Sequence, residues 1–149
     1  MDQFQTLSIL QMALNTNAIF TAATFFILWV AFRVAGKLRE GEPNMLGKVL
    51  TTLFGLMIIY SGLTLFASRY ASFGSATAGL KSIKASGQAL GAQAEAFLSG
   101  PFASANTQFS LFNDLPSVIF WLVVTVLFVG MIWMPVSAKN PDKATATAA

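Results

Sequence analysis

Three apolar blocks, at about 17–35, 45–67 and 116–136, are each long enough to cross a lipid bilayer, and they limit what the chain can become. A hydrocarbon core about 30 Å thick needs roughly 20 apolar residues of helix at about 1.5 Å rise each. Lipid offers no partner to a backbone N–H or C=O, so each block has to pair these groups within itself as a helix. That requirement overrides the strand preference of runs such as Phe25-Phe26-Ile27. Charged residues make up 10% of the chain, against about 25% in a soluble domain. The expected fold is an all-α integral membrane protein with three transmembrane helices.

The residue types that are missing narrow the chemistry. The chain has no cysteine and no histidine. Thiolate and imidazole ligands for iron, copper and zinc are therefore absent, as are the nucleophile–base pairs built on them. The acids are Asp2, Glu40, Glu42, Glu95, Asp114 and Asp142, and none lies in an apolar block. Proton relays and ion-coupled carriers place ionisable groups at membrane depth, so that class is disfavoured. No nucleotide-binding fingerprint or internal repeat occurs. A net charge of +3, spread over separate segments, is no nucleic-acid footprint. No catalytic, cofactor-binding or metal-ligating residue is assigned, no soluble small-molecule substrate is evident, and no enzyme is expected.

The bases suggest an orientation. Arg33, Lys37, Arg39 and Lys48 surround the turn at 36–44, and Lys139 and Lys143 follow the third block. Only Arg69, Lys81 and Lys84 fall at the other end. Short base-rich loops stay in the cytoplasm, which predicts an outer N-terminus and an inner C-terminus in a bacterial inner membrane. Trp29, Arg33, Lys37, Arg39, Lys48, Trp121 and Trp133 are expected to anchor the helices at the headgroups.

Segment 1–16 lacks the basic start of a signal peptide. The spacing of Phe4, Leu7, Leu10, Gln11 and Leu14 predicts a short interfacial helix there, with Asp2 as a cap; a plain extension of the first span is the rival reading. The outer, periplasmic loop at 68–115 is rich in Ala, Gly and Ser. Within it Leu80, Ile83, Gly87, Leu90, Ala94 and Phe97 alternate by three and four, predicting one amphipathic helix over about 76–98. Gly79, Gly87 and Gly91 would each cost that helix about 1 kcal/mol relative to Ala. Such a helix needs something to dock on, and Gly87 with Gly91 has the spacing of a close helix contact. The tail at 137–149 is expected to be disordered.

In the second span Gly55 and Gly62 lie on one face and suggest a close contact, while Tyr60 sits mid-span with a hydroxyl that needs an acceptor. Gly55, Tyr60, Gly62, Leu80, Ile83, Gly87, Leu90, Gly91, Ala94 and Phe97 are thus the candidate partner interface. The expected role is a non-catalytic accessory subunit of a respiratory, photosynthetic or membrane-oxidase complex, in contact with other membrane subunits and lipid. The alternative is a homo-oligomeric channel or small transporter lined by Thr and Ser hydroxyls.

Overall fold

The computed structural model describes residues 2–41 and 44–134. Its regular elements are α1 (Gln3–Glu40), α2 (Met45–Ala85), α3 (Ala92–Leu98) and α4 (Leu115–Trp133), with no strand among the described residues. Three of these, α1, α2 and α4, are long and apolar enough to cross a membrane. The chain has the architecture of an integral membrane protein. Glu42, Pro43, residues 135–136 of the third expected span and the tail with Lys139, Asp142 and Lys143 lie outside the described residues.

The first element departs from the expected interfacial helix. Asp2 caps it as anticipated, its carboxylate accepting from the Gln5 N–H at 2.8 Å while the Gln5 side chain accepts from the Asp2 N–H. The helix then continues into the first span as one rod of 38 residues. No Gly or Pro stands between Gln3 and Ala35 to stop it. Asn17 does not break the rod either, because its amide donates across to the Leu65 carbonyl at 2.9 Å. Asn44 caps α2 by accepting from the Gly47 N–H at 2.7 Å, and the short turn sets α2 antiparallel to α1.

The second difference is at the far end of α2. The span expected to stop at 67 runs on to Ala85 and absorbs the first half of the expected loop helix. It stops where Gly87 adopts φ +84°, a left-handed conformation that glycine takes without steric cost and that commonly ends helices. Helix resumes only at Ala92, for seven residues. The predicted seam is therefore divided. Leu80 and Ile83 belong to α2, Gly87, Leu90 and Gly91 to the connection, and Ala94 and Phe97 to α3.

The hairpin is much longer than the third spanning helix. At about 1.5 Å per residue, α1 and α2 extend roughly 57 and 61 Å, and α4 roughly 28 Å. Aromatic contacts fix their relative heights. Phe25 lies beside Phe120 and Trp121, with centroids 6.0 and 5.9 Å apart, and Phe32 meets Phe128 edge-on at 5.2 Å. Running this register back, α4 begins level with about Ile19 of α1. The first four turns of α1 and the last four or five of α2 therefore project beyond it.

Where α4 is present, the core contains Leu28, Ala31 and Ala35 of α1, Ile58 and Ile59 of α2, and Trp121, Val124, Phe128 and Ile132 of α4. Two glycines make the close approach possible. A Cβ on Gly55 would overlap the Phe128 ring, and one on Gly62 would overlap the Trp121 indole. Both pairs are seven residues apart, so one heptad on α2 seats one heptad on α4.

Candidate functional site

The projecting half of the hairpin has two flanks, and the rest of the chain crosses one of them, leaving there a hollow of about 510 Å³ between Leu7, Leu10 and Leu14 of α1 and Phe73, Phe97 and Phe102. Lys84 meets Glu95 at 2.8 Å and draws α3 back along α2. The Gly91 N–H donates to the Gln3 side chain at 2.8 Å, tying the start of α3 to the start of α1. Beyond α3, Phe102 stacks on Phe73 with centroids 4.0 Å apart. The Thr77 hydroxyl donates to the Phe102 carbonyl at 3.1 Å, and Lys81 donates to the Ala103 carbonyl at 2.8 Å. Gly74 lets this segment approach α2 directly, since a Cβ there would overlap the Asn106 backbone. On this flank Leu10, Leu80 and Ala94 are buried.

The opposite flank is open. Thr6, Ile9, Leu10 and Ala13 of α1 and Ser72, Ser75, Ala76 and Gly79 of α2 line a shallow groove of about 340 Å³. A second hollow, about 480 Å³, shares Ile9, Ala13 and Ser72 and continues past Met12 and Thr16 to Phe20 and Leu65. Large apolar side chains stand unprotected along them, with Ile9 52%, Met12 69% and Phe20 56% exposed. The groove floor is made of small residues, as in surfaces that accept another helix. Sequence reading missed this flank. Its signal was present in Ile9, Met12, Thr16 and Ile19, a second stripe beside the Leu7–Leu10–Leu14 one. A helix apolar on two sides is buried on both in a water-soluble setting.

The sequence-predicted interface residues separate accordingly. Gly55 and Gly62 are occupied by the chain's own Phe128 and Trp121, so their close contact is internal. Leu80 and Ala94 are likewise buried within the chain, and Phe97 lies 6.4 Å from Phe73. Ile83 and Leu90 are half-buried, and Gly91 is engaged by Gln3. Gly87 is exposed, and a Cβ added there would meet nothing within 4 Å. Tyr60 is different. It is 60% exposed on the outer face of α2, and among the described residues its hydroxyl has no partner on another helix. Ser61 and Thr64 beside it donate to the Met57 and Ser61 carbonyls of their own helix, at 3.0 and 2.8 Å.

The expected headgroup anchors also divide. Trp133 lies at the end of α4, donating to the Thr52 hydroxyl at 3.0 Å with Lys48 over its ring at 5.7 Å. Trp29 is exposed with the Arg33 guanidinium over its ring at 5.6 Å, and Lys37 pairs with Glu40 at 3.1 Å; Arg39 is exposed in the last turn of α1. Trp121 is no anchor. It is 2% exposed and faces α2 in the Gly62 seat, nearly two turns into α4, with its indole N–H unpartnered. Among the described residues no group of acidic side chains is assembled that could hold a metal ion.

Comparison with known protein families, with characterised proteins and with solved structures gives no match. The geometry of this chain has to carry its own functional reading.

Proposed function

We propose that the chain is a non-catalytic accessory subunit of a larger membrane assembly, of the respiratory, photosynthetic or membrane-oxidase type, and contributes packing, assembly or lipid sealing. The carrying observation is the open flank of the projecting hairpin, with Ile9 and Met12 exposed beyond the length that α4 spans. A hydrocarbon layer about 30 Å thick covers α4 end to end but only half of α1. Side chains beyond that half meet water unless another protein covers them. Burying each fully is worth about 1.5–3 kcal/mol, so these two side chains on a small-residue floor make a docking patch.

Tyr60 supports the same reading within the layer. It stands level with the middle of α4, where neither water nor headgroups reach, and an acceptor on a neighbouring helix would satisfy it. The distribution of bases favours an outer projecting end and an inner turn in a bacterial inner membrane. In this arrangement other chains would hold any redox centres.

A photoreactive residue at Ile9 or Met12 in native membranes, followed by mild-detergent purification and mass spectrometry, tests the assignment. One defined membrane protein of different sequence, crosslinked from both positions and present in fixed ratio, is the expected result. A monomer without co-purifying chains overturns it. Crosslinks only between copies, with ion or solute flux in proteoliposomes, would favour the homo-oligomeric channel.

A further inference from the structure

At the turn end of the bundle a cleft of about 380 Å³ opens between α1 and α4. Gly36 is its floor, where a Cβ would stand 3.2 Å from the Met131 methyl. Trp29 and Phe32 wall it on the side of the apolar core, and Arg33, Lys37 and Glu40 rim the other side. The cleft thus joins an apolar wall that faces lipid to two cations.

The height of Arg33 is informative. In the register set by Phe32 with Phe128 and Gly36 with Met131, it stands about one turn before α4 ends at Trp133. Long side chains on a helix lean toward its N-terminus, and the guanidinium does so here, over the Trp29 ring. Its charge is therefore directed into the apolar length of the bundle rather than out of it. A cation at that depth is expensive unless an anion meets it. Among the described residues Arg33 has no ion-pair partner. Lys37, one turn on, holds Glu40 at 3.1 Å, but both side chains are largely exposed, so the pair is weak and the ammonium has donors to spare.

We propose that this cleft binds one anionic phospholipid. Its phosphodiester sits between the Arg33 guanidinium and the Lys37 ammonium, and an acyl chain follows Trp29 and Phe32 along the α1–α4 seam. A guanidinium offers parallel N–H groups to phosphate oxygens, and basic pockets between spanning helices are suited to lipid headgroups. The Glu40 carboxylate at the rim favours a monoanionic diester over free dianionic phosphate, which it would repel more strongly. The site stands whether or not the open flank has a protein partner.

Native mass spectrometry of the purified chain with phosphatidylglycerol, phosphatidylethanolamine and phosphatidylcholine is the test. The wild type should retain one phosphatidylglycerol about tenfold more tightly than either other lipid, the scale of one good charge-assisted contact. The R33Q/K37Q variant should lose that preference. Gly36→Leu, which fills the cleft and keeps both charges, should lose it too and guards against misfolding of the double variant. Lys48→Gln, at the same end but over Trp133, should keep it, and millimolar inorganic phosphate should not displace the lipid. Equal retention of all three lipids, wild-type retention by both cleft variants, or displacement by inorganic phosphate would overturn the assignment.

Discussion

Replacing Gly55 by Ala is the sharpest test of how the spanning helices are held. In water the substitution would be expected to help, because Ala is about 1 kcal/mol better than Gly within a helix. Here the added methyl overlaps the Phe128 ring. The ring cannot swing freely aside, since Phe32 abuts it edge-on at 5.2 Å. Overpacking of this kind costs about 1–3 kcal/mol, and the constrained ring argues for the upper end. After the propensity gain, a net loss of about 2 kcal/mol is expected. Gly130→Ala is the matched control, because the nearest atom to its new methyl is the Met134 methyl at an ordinary 3.5 Å. That variant should be neutral or more stable by up to about 1 kcal/mol.

Reversible denaturation in mixed micelles, followed by far-UV circular dichroism, measures all three proteins. Phe128→Ala alone should be costly, since it empties the centre of the three-helix core. Combined with Gly55→Ala it should cost at least about 1 kcal/mol less than the sum, because the clash has gone. Equal stability of Gly55→Ala and Gly130→Ala, or a double variant additive to within about 0.5 kcal/mol, would refute the seat.

The remaining predictions concern the other junctions. Asn17→Leu removes the 2.9 Å bond to the Leu65 carbonyl where the hairpin leaves the α4 region; it should lose about 0.6 kcal/mol and no more than about 1.7 in the same titration. Gly74→Ala should push the segment around Asn106 off α2, read as faster amide exchange at 100–108 with the exchange of α4 unchanged. Glu95→Gln breaks the exposed pair with Lys84; its cost should stay below about 1 kcal/mol and fall further in high salt, checked by thermal melts at two ionic strengths.

The helical class and the three helices of membrane-crossing length were legible because a run of apolar residues in lipid has one backbone solution. The ends of the helices were not. At the turn, α1 passes through Gly36 and stops only after Glu40, five residues beyond the expected end. Residues 1–16 and 68–85 are less apolar than the spans, so hydropathy alone drops at 17 and 67 while the helix does not. What continues the rods is the lack of any Gly or Pro in α1 before Gly36 and the long hairpin contact, close enough at Gly79 that an added Cβ would stand 3.2 Å from the Thr6 methyl. The seam over 76–98 had the right periodicity for one helix. Periodicity does not report φ, and Gly87 ends the rod by turning left-handed. The glycine face of α2 was visible, but not whether a partner or the chain itself would fill it. That needed the heptad match of Trp121 and Phe128, two residues in a helix about sixty to seventy positions away.

The long hairpin therefore meets two solvents with the same surface chemistry, and only one of them suits it. Beside α4, outward-facing residues such as Leu53, Met57, Val123 and Leu127 are what lipid favours, and the inward contact depends on shape because lipid tails give helices no hydrophobic reason to associate. Beyond α4 the outward face stays apolar at Ile9 and Met12, where water would favour polar groups. On one flank the chain meets this with Phe102, α3 and four hydrogen-bonded or ionic ties. On the other it supplies nothing among the described residues. The proposed partner would lie on this second flank, over Ile9 and Met12. Substituting Ile9 and Met12 by Gln should test that placement, leaving the micelle stability of the bundle within about 0.5 kcal/mol while abolishing co-purification of the partner. Loss of stability with the partner retained would mean that the open flank serves the hairpin itself.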